Sequence, residues 1–132
     1  MNLVTQVCAA LAAVILLAVA PLEALLLHRP WVQRLLAVEP AGLREVRLWS
    51  FSVGFRNALI GVVTLVGLWM VNVGDEVVGT AVVVVGLTYM LLVSLSMGLS
   101  DALGYWVPRG GSVRGTVLSS VLPAVALVAL VV

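Results

Sequence analysis

Several polar side chains lie inside or at the edge of long apolar runs, and these are the residues whose types could support chemistry. An ionisable side chain within a membrane helix costs about 2.5–3.5 kcal/mol on insertion scales, so it requires a partner or a function. Glu23 and Arg56 lie inside apolar runs, and Asp101 lies at the end of a third apolar run. We predict one polar cluster that binds a ligand, formed by Glu23, Arg56, Asn57, Asp101 and Ser120.

Structural roles compete with this interpretation. Glu23 and Arg56 could form an ion pair within the membrane, which would close the cluster and leave no pocket. Alternatively, the long side chain of Arg56 extends to the interface while Glu23 stays near water. Two roles suit Asn57 equally well: its side chain could form a hydrogen bond between helices, or it could be part of a binding site.

Other kinds of chemistry lack the residues they need. The chain has one histidine, His28, and one cysteine, Cys8, so we expect no metal site. Gly110-Gly111-Ser112 has the composition of a turn and not of a phosphate-binding loop, and we expect no cofactor. Ser119 and Ser120 have no histidine nearby to act as a base, so no catalytic residue is predicted.

The composition indicates that lipid surrounds most of the chain. Of the 132 residues, 63% are hydrophobic and 10% are charged, and the mean hydropathy is +1.23. In soluble domains, roughly a quarter of all residues are charged. The net charge of +1, with no basic run, excludes a nucleic-acid partner. We expect a single membrane domain over residues 1–132.

Four apolar runs are long enough to cross a bilayer, which takes about 20 residues in a helix. They cover Leu3–Leu27, Trp49–Val71, Val77–Leu99 and Thr116–Val132. A single strand would leave its backbone groups unpaired in hydrocarbon, so the spans must be helices. The sequence therefore predicts an all-α integral membrane bundle of four transmembrane helices.

The connections between these spans differ sharply in charge. The first, residues 28–48, carries Arg29, Arg34, Arg44 and Arg47, and the third, residues 100–115, carries Arg109 and Arg114. The middle connection, residues 72–76, has two acidic residues and no basic one. By the positive-inside rule, the first and third connections are cytoplasmic and both termini lie outside.

The first connection is expected to contain a short amphipathic helix at the membrane interface. After Pro30, one side carries Trp31, Val32, Leu35 and Leu36, and the other carries Gln33, Arg34 and Glu39.

The second span has a stripe of small and polar residues on one helical face: Ser50, Gly54, Asn57, Gly61 and Thr64. Such a stripe favours close helix packing, in which Gly54 and Gly61 need have no other role.

The chain resembles the family called domain of unknown function 1304, which consists of small bacterial membrane proteins with four helices. That family has a glutamate at the end of the first helix, two prolines in the first loop, an N-Q-G-x-x-N-G motif in the second helix and Q-G-x-P-A in the fourth. The matching positions here are Glu23, Pro30, Pro40, Gly54, Asn57 and Leu122-Pro123-Ala124. The resemblance implies a four-helix bundle in a bacterial plasma membrane and no known activity.

The chain departs from the family pattern at polar positions. Ser52 and Val53 replace the Asn-Gln pair, Arg56 stands where tyrosine is usual, and Ser120 stands in place of the glutamine. A polar site common to the family would therefore be only partly kept.

Three functions remain open. The first is the binding or movement of a small amphipathic or lipid ligand in a cytoplasm-facing pocket. The second is a structural role, as a homo-oligomer or as a subunit docked on another membrane protein. The third is an enzyme on a lipid substrate with Glu23 or Asp101 as acid–base groups, which rests on analogy of fold alone.

Overall fold

The computed structural model describes residues 1–107 and 109–132, and these form helices joined by turns. The order is α1 (Leu3–Ala24), α2 (Pro30–Leu36), a 3₁₀ turn (Pro40–Gly42), α3 (Leu43–Val73), α4 (Glu76–Ala102) and α5 (Val113–Val131). Four of them, α1, α3, α4 and α5, are long and apolar enough to cross a membrane. The prediction of an all-helical chain with four such helices is confirmed.

The first long helix is shorter than its apolar run. The side chain of Asn2 caps α1 by accepting a 2.9 Å hydrogen bond from the amide of Thr5. At the other end, the amides of Leu25 and Leu26 both donate to the carbonyl of Pro21, and the chain turns away after Ala24. Leu27, the last residue of the apolar run, lies in the turn after α1 and is buried there.

The second long helix exceeds its predicted bounds. The 3₁₀ turn Pro40–Gly42 leads directly into α3, which starts six residues before the predicted Trp49. Its 31 residues correspond to about 46 Å of rise, more than the hydrocarbon thickness of roughly 30 Å. The excess lies at the polar start, where Arg44 and Arg47 extend the helix beyond the apolar segment.

The four long helices form a closed ring in which each contacts the helices before and after it, and α1 also contacts α5. Neighbours are antiparallel. Glu23 near the end of α1 meets Asn57 in the first half of α3, whereas Gln6 near the start of α1 meets Asn72 at the end of α3. Thr5 near the start of α1 donates to the carbonyl of Ala126 near the end of α5.

Small residues are frequent in the interior, and large apolar ones cover most of the outside. Ala9 and Ala13 are fully buried beside the larger Val83 and Leu87, whereas valine and leucine side chains are exposed along every long helix. In lipid, helices associate through close packing and not through burial of large apolar groups, so this distribution is the expected one.

The short helix α2 differs in part from its predicted amphipathic pattern. Val32 is buried, and Gln33 from the predicted polar side is buried as well, with its side-chain amide donating to the carbonyl of Leu27 at 3.1 Å. Trp31 and Leu35 are exposed. The buried face therefore holds one apolar and one polar residue, and the placement of α2 at a membrane interface stays a prediction.

Candidate functional site

Glu23 and Asn57 form a direct contact between α1 and α3. The side-chain nitrogen of Asn57 donates to Oε2 of Glu23 at 2.7 Å. One heptad earlier on the same face of α3, the hydroxyl of Ser50 donates to the backbone carbonyl of Glu23 at 2.7 Å. Two residues of α3 thus hold the half-buried Glu23 by its main chain and its side chain.

The contact depends on the absence of a side chain at Gly54. A Cβ atom there would lie 2.5 Å from the carbonyl oxygen of Ala20 and 2.7 Å from the amide nitrogen of Ala24. Two turns further along the same face of α3, a Cβ atom at Gly61 would lie 2.9 Å from Cγ of Leu17 and 3.1 Å from the carbonyl oxygen of Ala13. The predicted stripe from Ser50 to Gly61 is therefore a packing face for α1, whereas Thr64 meets Gly86 of α4, and close packing brings Asn57 within reach of Glu23.

A cleft of about 270 Å³ opens beside Glu23, between the end of α1 and the start of α3. It is lined by Glu23, Ala24, Leu25, Leu27, His28, Leu43, Arg44 and Arg47. Arg44 and Arg47 are exposed and, three residues apart, share one side of the helix. Among the described residues, neither arginine side chain forms a hydrogen bond or an ion pair, and Oε1 of Glu23 has no hydrogen-bond partner.

A second, apolar groove of about 260 Å³ lies along the outer seam between α1 and α3. The two cavities share Ala24 and Leu25 in their linings, so they are adjacent. The rings of Phe51 and Phe55 form part of the groove and stack with centroids 6.4 Å apart. The combined space presents charged groups at one end and an apolar surface at the other.

One structural alternative was an ion pair between Glu23 and Arg56, and no such pair is present among the described residues. The side chain of Arg56 is exposed, and its Nε donates to the carbonyl of Ser52 in its own helix at 3.3 Å. Consecutive helical residues point about 100° apart, so Arg56 does not face α1 when Asn57 does. The other alternative, in which Arg56 extends to the interface, stays a prediction.

Asp101 belongs to a different network. Its carboxylate accepts hydrogen bonds from the backbone amides of Gly110 at 2.7 Å and Ser112 at 2.9 Å, and from the Ser112 hydroxyl at 2.9 Å. Asp101 is buried, and it holds the connection between α4 and α5 in place. Neither cavity is lined by this residue.

Ser120 is also separate from the cleft. Its hydroxyl donates to the carbonyl of Val117 in α5 at 3.2 Å, and it lines neither cavity. Of the five predicted site residues, the structure therefore brings together Glu23 and Asn57 only, with Glu23 alone lining the cleft.

Sequence reasoning missed the two arginines of the cleft and its histidine. Arg44 and Arg47 entered the sequence analysis only as loop residues that report topology, and His28 entered it only as the single histidine of the chain. A usable signal was present, since Arg44 and Arg47 have the spacing of one helical face directly before the second span. Within the described residues, no group of three or more His, Cys, Asp or Glu side chains is placed to hold a metal ion.

Comparison with known proteins agrees with the resemblance seen in the sequence. The family described as protein of unknown function (DUF1304) matches residues 10–131, a range that includes both helices of the cleft. No curated protein and no solved structure matches the chain. Because the family match covers nearly the whole chain, this protein belongs to the DUF1304 family.

Proposed function

We propose that this protein is a membrane-embedded binding module for a small amphipathic molecule, whose polar end enters the Glu23 cleft and whose apolar part lies in the adjoining groove. The observation that carries the proposal is that a cleft with charged lining residues and an apolar groove lie side by side and share Ala24 and Leu25. Ligand sites are mostly apolar with a few convergent polar groups, and the two adjacent cavities together have this character.

The environment of Glu23 supports this function. A carboxylate in a membrane helix is costly unless it is paired or used. Here a neutral amide bonds one oxygen, and among the described residues no basic side chain forms an ion pair with Glu23. The group is thus held in a fixed orientation beside a cleft, with one oxygen available to a ligand.

The alternative of an interaction subunit loses one of its supports. The Gly-rich second span favoured it, but Gly54 and Gly61 pack against α1 of the same chain. The enzyme alternative named Glu23 or Asp101 as an acid–base group, and the Asp101 carboxylate is bonded to the connection between α4 and α5 and lines neither cavity.

By the positive-inside rule, the arginine-rich cleft faces the cytoplasm. We include in the proposal that the membrane is the bacterial plasma membrane, as the family resemblance implies.

Native mass spectrometry of protein released from mild detergent tests the function. We expect the wild type to retain an amphipathic molecule, and Glu23→Gln and Asn57→Ala to lose it. Asn72→Ala is the matched control, because Asn72 also lies on α3 and donates to an α1 side chain, Gln6, but at the opposite end of the bundle.

The control variant should retain the ligand. Bare wild-type protein in a defined oligomer, or bound to a second polypeptide, would contradict the proposal and favour the interaction subunit. Retention that is equal in all variants would show that the ligand binds elsewhere.

A further inference from the structure

The charged groups of the cleft lie at different depths relative to the apolar groove. Ser50 marks the level of Glu23, because its hydroxyl bonds the Glu23 carbonyl. Arg47 and Arg44 precede Ser50 by three and six residues, which places their Cα atoms about 4.5 and 9 Å further toward the polar end of α3. From the groove outward, a ligand therefore meets first a carboxylate and then two guanidinium groups.

The order of these charged groups along the cleft indicates which chemical groups a ligand would carry, and in which order. An apolar chain fits the groove lined by Pro21, Phe51 and Phe55. Next to it, Oε1 of Glu23 is a free acceptor and requires a donor such as a hydroxyl group. Arg44 and Arg47 also line the cleft, and guanidinium groups are the donors that suit a phosphate.

We propose that the ligand is a single-chain phospholipid with a free hydroxyl between its chain and its phosphate, as in monoacyl glycerophosphates. The chain occupies the groove, the hydroxyl donates to Glu23, and the phosphate lies between Arg44 and Arg47. This inference rests on the proposed function and specifies its ligand.

The groove follows a single seam between α1 and α3 and measures about 260 Å³, which is why the proposed ligand has one chain and not two. The arginines also offset the repulsion that a phosphate would meet from the Glu23 carboxylate. No other basic side chain except His28 lines the cleft among the described residues, so the phosphate depends on this pair.

The test measures binding of synthetic probes to the full chain in nanodiscs of a two-chain zwitterionic lipid. The probes are a monoacyl glycerophosphate, its deoxy analogue without the hydroxyl, the monoacylglycerol without the phosphate, and glycerol phosphate without the chain. The deoxy analogue cannot donate a hydrogen bond to Glu23, and the loss of such a bond to a charged group should weaken binding about tenfold or more. We expect the monoacylglycerol to bind at least about tenfold more weakly for the same reason, and glycerol phosphate not to compete.

Two matched double variants separate the cleft arginines from general charge. Arg44→Gln/Arg47→Gln should weaken binding of the monoacyl glycerophosphate about tenfold or more. Arg29→Gln/Arg34→Gln removes the same charge from the same connection, outside the cleft, and should leave binding within about twofold of the wild type. Glu23→Gln should reduce the preference for the hydroxylated probe over its deoxy analogue.

The outcomes distinguish this inference from the function on which it rests. Equal binding of the monoacylglycerol and the monoacyl glycerophosphate would overturn the phosphate assignment and leave the amphiphile site standing. Equal weakening by both double variants would overturn the role of Arg44 and Arg47. Competition by glycerol phosphate would identify a soluble phosphate ligand instead of a lipid, and failure of every chain-bearing probe to bind would overturn both proposals.

Discussion

The side-chain amide of Asn57 donates to the carboxylate of Glu23 at 2.7 Å, which joins two helices across 34 residues of sequence. An amide satisfies one carboxylate oxygen but leaves the charge in place, in contrast to the ion pair that the sequence suggested. This difference changes the role that we assign to Glu23. An ion pair would close the site, whereas a carboxylate with only one oxygen hydrogen-bonded, beside a cleft, is available to a ligand.

Gly54→Ala should separate α1 from α3. The new Cβ would lie 2.5 Å from the carbonyl oxygen of Ala20, and overpacking of this kind costs about 1–3 kcal/mol. We expect a lower free energy of unfolding in denaturing detergent, together with weaker ligand retention because Asn57 moves away from Glu23. Gly42→Ala is the control, since a Cβ at Gly42 meets no atom within 4 Å. Equal stability of the two variants would contradict the close packing.

The contact between α3 and α4 can be tested by a rescue experiment. A Cβ at Gly86 would collide with the hydroxyl oxygen of Thr64, so Gly86→Ala should be destabilising by about 1–3 kcal/mol. Thr64→Ala removes that oxygen and its 2.8 Å bond to the carbonyl of Ile60, a loss of about 1 kcal/mol.

The double variant should be more stable than the sum of the single effects predicts, with a coupling of about 0.5–3 kcal/mol. The free energy of unfolding of the four proteins gives this value. Strict additivity would show that Thr64 and Gly86 do not face each other.

Asp101→Ala should loosen the connection between α4 and α5 without affecting ligand binding. The variant leaves the amides of Gly110 and Ser112 without their acceptor, and the loss should reduce the free energy of unfolding by about 1–3 kcal/mol. Hydrogen exchange at these two amides should become faster.

Asp75→Ala serves as the comparison. Asp75 caps α4 through the amides of Val77 and Val78, so its removal should accelerate exchange there and not at Gly110. Loss of ligand retention in Asp101→Ala, with exchange at Gly110 unchanged, would place Asp101 in the binding site and contradict its role as a loop anchor.

Thiol labelling tests the orientation in the membrane. In a Cys8→Ala background, an impermeant thiol reagent should label Val132→Cys in bacterial spheroplasts and should label Glu39→Cys only after permeabilisation. Both positions are exposed, so accessibility depends on the side of the membrane. The reverse pattern would place the cleft outside and would exclude a cytoplasmic source for its ligand.

The bounds of the helices show where hydropathy is a sufficient guide and where it is not. Apolar runs predicted four spans, and four such helices are present. However, Leu27 is a buried residue of the turn after α1, and α3 begins at Leu43 among charged residues. Hydropathy reports the solvent around a residue, whereas helix ends are set by local hydrogen bonds such as those that the Pro21 carbonyl accepts.

The sequence by itself determined that this chain has four membrane-competent helices, and that one face of the second span is made for close packing. Both follow from the composition of local segments and from helical periodicity. Only the tertiary structure decided that Glu23 meets Asn57 and not Arg56, and that Arg44 and Arg47 line the same cleft. The reason is that helix rotation and the return of a connecting loop bring distant residues together, and neither is encoded in a local pattern.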